Sequence, residues 1–110
     1  MKSSLSQTPN RIFENLKIFD LFKGEGFSFD FVIAELDGNH AAVRNHVSDK
    51  AYFILNGSGT VQIGIEKLEV NKDDFIKIPK GEFHSINGKL RYIIVCSPPF
   101  DPMNEEIQNA

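Results

Sequence analysis

Two stretches decide how this chain reads: GNHAAVRNHVSDKAYFILNG at residues 38–57 and DDFIKIPKGEFHSIN at residues 73–87. Side chains alternate along an extended chain, so residues 44, 46, 48, 50, 52 and 54 share one face. Tyr52 and Ile54 belong to a buried face. Arg44, His46, Ser48 and Lys50 are therefore expected to project into the same interior, unless a bend near Ser48–Asp49 interrupts the strand. In the second stretch, Phe75–Ile78 reads as a short strand, Pro79-Lys80-Gly81 as a break, and His84–Ile86 as the next strand.

Outward from these stretches the pattern stays β. Leu16–Leu21 is read as a strand, and Gly24 and Gly26 mark a turn. From Phe27, aromatic and aliphatic residues alternate with Ser28, Asp30, Val32 and Ala34, the period of a strand. Turns are expected at Asp37-Gly38-Asn39, at Asn56-Gly57-Ser58-Gly59, at Asn71–Asp74 and at Asn87-Gly88, because Gly and Asn tolerate positive φ. Between them fall strands at Ala42–His46, Ala51–Leu55, Thr60–Ile65 and Leu90–Cys96. Short strands at even spacing with turn signals between them imply a sandwich or barrel. Residues 1–10 read as a flexible lead-in, residues 11–100 as one domain, and residues 101–110 as a loose acidic tail.

The bulk numbers agree with one soluble globule. The chain has 110 residues, 41% of them hydrophobic and 25% charged, enough for one core and not two. Ten of its aromatics are Phe and none is Trp. A formal charge of −3 argues against a general nucleic-acid binder, which needs a basic face. The lone Cys96 forms no intrachain disulfide, so a reducing, cytoplasmic setting is expected. Cys96 itself reads as a small hydrophobe. No apolar run approaches a membrane span, and residues 1–10 carry no secretory pattern.

The spacing Gly38-x5-Arg44-x-His46-x3-Lys50-x6-Gly57 resembles the first motif of the cupins. Asp73-x5-Pro79-x-Gly81-x2-His84 resembles their second motif, with Asp73 where Gly is usual and Asn87 one residue early. The resemblance implies an all-β, double-stranded β-helix (jelly-roll) barrel in a small single-domain form. It also implies that positions 44, 46, 50 and 84 are where metal-binding relatives hold His, His, Glu and His. Here two of the four are cations. A divalent ion about 5 Å from a fixed cation meets roughly 6–7 kcal/mol of repulsion at an effective dielectric of about 20. Two imidazoles alone are a poor site. No cofactor is therefore expected. If a metal (Fe, Mn, Ni or Zn) is bound, His46 and His84 are its ligands, with Asp49 or His40 swinging in to help. His40 otherwise reads as a solvated turn residue.

The same cations favour an anion, since Arg offers a planar fork to carboxylate or phosphate. Arg44, Lys50, Ser48 and Tyr52 are the expected ligand-binding residues, and His84, His46 and Lys50 the expected catalytic ones. The competing reading sends Arg44 and Lys50 to the rim, paired with Glu35 or Asp49. Three functions follow from the resemblance. The first is a small, anionic or sugar-like molecule bound without a tight metal, with isomerase or epimerase chemistry. The second is a metal-dependent dioxygenase or phosphosugar isomerase, and the third a non-catalytic sensor or accessory protein. A homodimer is expected, because Phe27, Phe29 and Phe31 suit a covered strand.

Overall fold

The computed structural model describes residues 2–23 and 26–108, so Gly24 of the expected turn and the extreme ends of the lead-in and tail lie outside the described residues. The strands are β1 (Arg11–Ile12), β2 (Leu16–Phe22), β3 (Asp30–Asn45), β4 (Asp49–Ile63), β5 (Glu66–Asn71), β6 (Phe75–Ile78), β7 (His84–Ser97) and β8 (Glu105–Ile107). They form one sheet in the order β1-β2-β3-β7-β4-β5, with β6 also on β4 and β8 also on β3. The pairings are antiparallel and the order is jelly-roll-like. The sheet is not closed, which corrects the expected barrel. Among the described residues its path ends at β1, which pairs only with β2, and at β5, which pairs only with β4. The all-β reading stands.

Three of the expected turns are not turns. Gly38, Gly59 and Gly88 lie inside the long strands β3, β4 and β7, and they stand in register side by side: Gly38 opposite Gly88, and Gly88 opposite Gly59. A methyl group on Gly59 would sit 2.1 Å from the Asn87 carbonyl oxygen, and one on Gly88 2.5 Å from that of Ser58. Glycine is needed here for close passage of the strands, not for chain reversal. The reversal occurs later, at Gly64–Ile65, with Gly64 at φ 58°. At the Asn71–Asp74 turn, Asp73 sits at φ 74°, a conformation that favours glycine and that Asp tolerates better than most residues.

One face of the sheet carries the core. Leu16 and Ile18 of β2, Val32 and Leu36 of β3, Ile54 and Val61 of β4, and Ile86 and Tyr92 of β7 are buried in one cluster. Two of the long strands, β3 and β4, change phase once, while β7 keeps its even residues His84, Ile86, Leu90, Tyr92 and Cys96 inward throughout. In β3 the even residues Asp30, Val32, Ala34 and Leu36 face inward, and after a register shift between His40 and Val43 the odd residues Val43 and Asn45 do. In β4 the shift falls between Ile54 and Asn56. A bulge inserts a residue on one strand and so exchanges its two faces beyond that point.

The opposite face bears a row of apolar side chains in register across five strands: Phe19, Ile33, Ile93, Phe53 and Phe75. The strand expected from Phe27 begins only at Asp30. Phe27 and Phe29 instead fold against Phe22, with ring centroids 5.5 and 6.0 Å away. Of residues 101–110, expected as a loose acidic tail, the described part folds back onto the sheet. A 3₁₀ turn at Pro102–Asn104, capped by Asp101, leads into β8 on β3. Among the described residues no helix is long and apolar enough to cross a membrane.

Candidate functional site

The phase change in β3 decides which polar side chains reach the interior. Arg44 and His46 do not. The Arg44 guanidinium lies 4.5 Å over the Phe83 ring and 3.1 Å from Glu106 Oε2 on β8. His46 Nε2 is 2.9 Å from Glu106 Oε1, with the imidazole half exposed. The expectation that positions 44, 46, 48 and 50 share one face fails because β3 bulges before Val43, ends at Asn45 and bends through His46–Val47. Ser48 is buried, but its hydroxyl donates to the Pro98 carbonyl at 2.7 Å. It holds the chain rather than lining a cavity.

Lys50, Tyr52 and His84 do come together. They line an inner chamber of about 130 Å³ that also borders His40, Phe100 and Glu105. It shares Arg11, Phe13, Asp30, His40, Phe100 and Glu105 with an outer chamber of about 680 Å³. Lys50 is 8% exposed and its Nζ lies 2.8 Å from Glu105 Oε1. The same Nζ is 3.4 Å from His84 Nε2. His84 Nδ1 is 3.1 Å from the Glu82 carbonyl oxygen, so Nδ1 carries the hydrogen and donates it. That tautomer leaves the Nε2 lone pair to accept from the Lys50 ammonium.

The electrostatics follow from burial. His84 is pushed down to about 4, first by desolvation and then by the neighbouring Lys50 charge, so it is neutral at pH 7. His40 is lowered by the same two causes in the same order. Burial raises the Tyr52 hydroxyl well above its usual range, which keeps it protonated. Asp30 is raised by burial, against the Phe100 N–H and the Arg11 charge.

Sequence reasoning missed three residues. Glu105 sits on the tail expected to be loose. The one clue to it was general: a buried lysine needs a carboxylate. His40 was read as a solvated turn residue, yet β3 runs through that turn and carries it to the cavity. Arg11 on β1 had no motif around it.

The residues present do not fit a resident divalent metal. Of the four positions matched to ligands by resemblance, Arg44 and His46 face away from the cavity. The Lys50 ammonium occupies the direction of the His84 Nε2 lone pair. Among the described residues no group of three His, Cys, Asp or Glu is arranged to hold an ion.

No family model matches the chain. An uncharacterised protein of Streptomyces coelicolor is 31% identical over 65 residues, which is 56% of this chain and 62% of that protein. The chain thus spans less than two thirds of the length of that relative. Among solved structures, a variant of Streptomyces Pac13 with uridine superposes with a TM-score of 0.87 at 14% identity, covering 98% of this chain and 90% of that one. Pac13 is described as a nucleoside dehydratase. A cupin-2 domain from Rhodospirillum rubrum superposes with a TM-score of 0.73 at 18% identity, covering 97% of this chain and 73% of that one. This chain has the cupin fold.

Proposed function

We propose that this chain is a metal-independent acid–base enzyme acting on a neutral, hydroxyl-bearing small molecule, a sugar or nucleoside, from which it eliminates water. One observation carries the reading: the Glu105–Lys50–His84 array set against the inner chamber. The anionic ligand expected from sequence loses its support, because Arg44 faces Glu106 and the Lys50 charge is matched by Glu105. A charge-balanced cavity with apolar walls suits a neutral polar ligand. The likeness to Pac13, a nucleoside dehydratase seen with uridine, agrees with a nucleoside-sized site.

The residues supply both partners of an elimination. When the substrate enters, the Lys50 ammonium turns from His84 to the hydroxyl that will leave, which frees the Nε2 lone pair; neutral His84 then takes a proton from carbon at Nε2, the C–H electrons form the new double bond, and the C–O bond breaks. The Lys50 ammonium gives its proton to the departing hydroxyl, which leaves as water. As Lys50 loses its charge, the repulsion that lowers His84 falls, so its basicity rises as the step proceeds. The proton then returns from His84 to Lys50 across their 3.4 Å contact. Glu105 Oε1 holds the Lys50 Nζ at 2.8 Å, and His40 and Tyr52 face the same chamber as hydrogen-bonding groups.

Incubation with nucleosides and their oxidised sugar derivatives, followed by mass spectrometry, reads the loss of one water directly. Turnover is expected to survive metal chelation, to fall at least 100-fold in Lys50→Met and His84→Gln, and to persist in Arg44→Ala. Turnover that needs added metal, or that His84→Gln retains, defeats the proposal. The same reading gives the outer row of Phe19, Ile33, Ile93, Phe53 and Phe75 a second copy of the chain as its cover. Phe19 and Ile33 at one end of the row are already buried within the chain, so the part left to cover is Ile93, Phe53 and Phe75, of which Phe75 is 64% exposed. Light scattering is expected to show a dimer that Phe75→Lys converts to monomer. A wild-type monomer at high concentration removes that assignment.

A further inference from the structure

We infer that the outer chamber is a subsite for a flat, carbonyl-bearing ring, the pyrimidine base of a nucleoside, clamped by Phe13 and Phe100 and bonded by Arg11. The inference rests on the reading of the inner chamber as the sugar site, which it extends to the rest of the ligand.

Three observations meet at this place. The first is an orphaned donor. One nitrogen of Arg11, Nη2, is tied to Asp20 Oδ1 at 2.7 Å, while its Nε–H is buried and has no partner among the described residues. A buried unsatisfied donor is costly and uncommon in a native fold, and a ligand acceptor is one of the few things that resolves it. The second is that the donor is already oriented. Asp20 is tethered in turn, its backbone N–H donating to Asn10 Oδ1 at 2.8 Å, and its Oδ2 is 3.6 Å from the Lys23 ammonium. The guanidinium is thereby held in place before any ligand arrives.

The third is the wall. Phe13 and Phe100 border both chambers together with Arg11. Aromatic faces stack a planar ring with little regard for its sequence of heteroatoms, and the guanidinium edge then chooses among rings by the acceptor it meets. Charge argues against an anion here as well. Arg11 is matched by Asp20, and Asp30 stands beside it. A ring carbonyl takes a single N–H bond without adding charge, which a phosphate or carboxylate cannot do. The order along the cavity is therefore base at the mouth, against Arg11, Phe13 and Phe100, and sugar inside, against His40, Lys50 and His84.

The test separates this subsite from the chemistry it rests on. NMR titrations use three probes: uracil, ribose and uridine. Uracil is expected to shift Arg11 Nε–H and the Phe13 and Phe100 rings, ribose to shift His84 and His40, and uridine to shift both sets. Arg11→Lys keeps the charge beside Asp20 but removes the fork. It is expected to weaken uracil and uridine at least 10-fold and to leave ribose unchanged; Phe100→Leu is expected to weaken uracil in the same way. Equal uracil binding in wild type and Arg11→Lys, or uracil shifts confined to other parts of the molecule, overturns the subsite. Shifts at Arg11 with none at His84 or His40 from ribose or uridine sustain the subsite and refute the sugar site.

Discussion

Acidification should unfold this protein through one imidazole. His84 is held at about 4 in the folded chain against 6.5 for a free side chain. A histidine lowered on folding binds its proton more readily in the unfolded state. Stability from this group is therefore complete above pH 6.5 and is lost as pH falls from 6.5 towards 4. The gap is about 2.5 pH units, and at 1.36 kcal/mol per unit the full effect is about 3 kcal/mol. At pH 4.5 most of it, about 2.5 kcal/mol, should already be gone. The groups facing His84 are Lys50, Glu105, His40 and the Glu82 carbonyl, and all of them remain in His84→Gln. Urea unfolding at pH 7.5, 6.5, 5.5 and 4.5, run on both proteins, isolates the imidazole. Wild type is expected to lose about 2.5 kcal/mol more than the variant between pH 7.5 and 4.5. His40, also lowered, contributes in the same direction to both and cancels. Parallel stability curves for the two proteins would refute the buried, neutral His84 and with it the base of the proposed elimination.

Other outcomes follow from the same geometry. Lys50→Met leaves Glu105 buried without its cation and should lower stability by about 3 kcal/mol, while the double variant with Glu105→Gln should recover most of that in chemical denaturation. Gly57→Ala would place a methyl group 2.0 Å from the Lys89 carbonyl oxygen at φ 89°; a loss of about 3 kcal/mol or more, or no folded protein, is expected by circular dichroism. Arg44→Ala removes a half-exposed pair with Glu106 and a contact with Phe83, so thermal melting should reveal a change of about 1 kcal/mol, with ligand binding unaltered. A large binding defect in that variant would return Arg44 to the cavity.

The sequence by itself determined that strands dominate, that the motif spacing is cupin-like, and that Lys50 and His84 belong to one interior. Those properties are local: alternation over a few residues, glycine and proline punctuation, and positions counted along two short motifs. Tertiary structure decided everything that depends on a second strand. Gly38, Gly59 and Gly88 look like turn residues in isolation, and only their alignment across β3, β7 and β4 shows them to be points of close passage. A single bulge after His40 exchanged the faces of β3, which sent Arg44 and His46 outward, while His40, just before it, kept the inward phase of Val32 and Leu36. Alternation cannot register this, because the extra residue is defined against a partner strand. Whether the sheet closes is likewise set by what β1 and β5 find beside them. Glu105 meets Lys50 across 55 positions of chain, a distance over which no periodicity carries information. Only the folding of the tail onto β3 supplies the carboxylate that pairs with Lys50 beside the cavity.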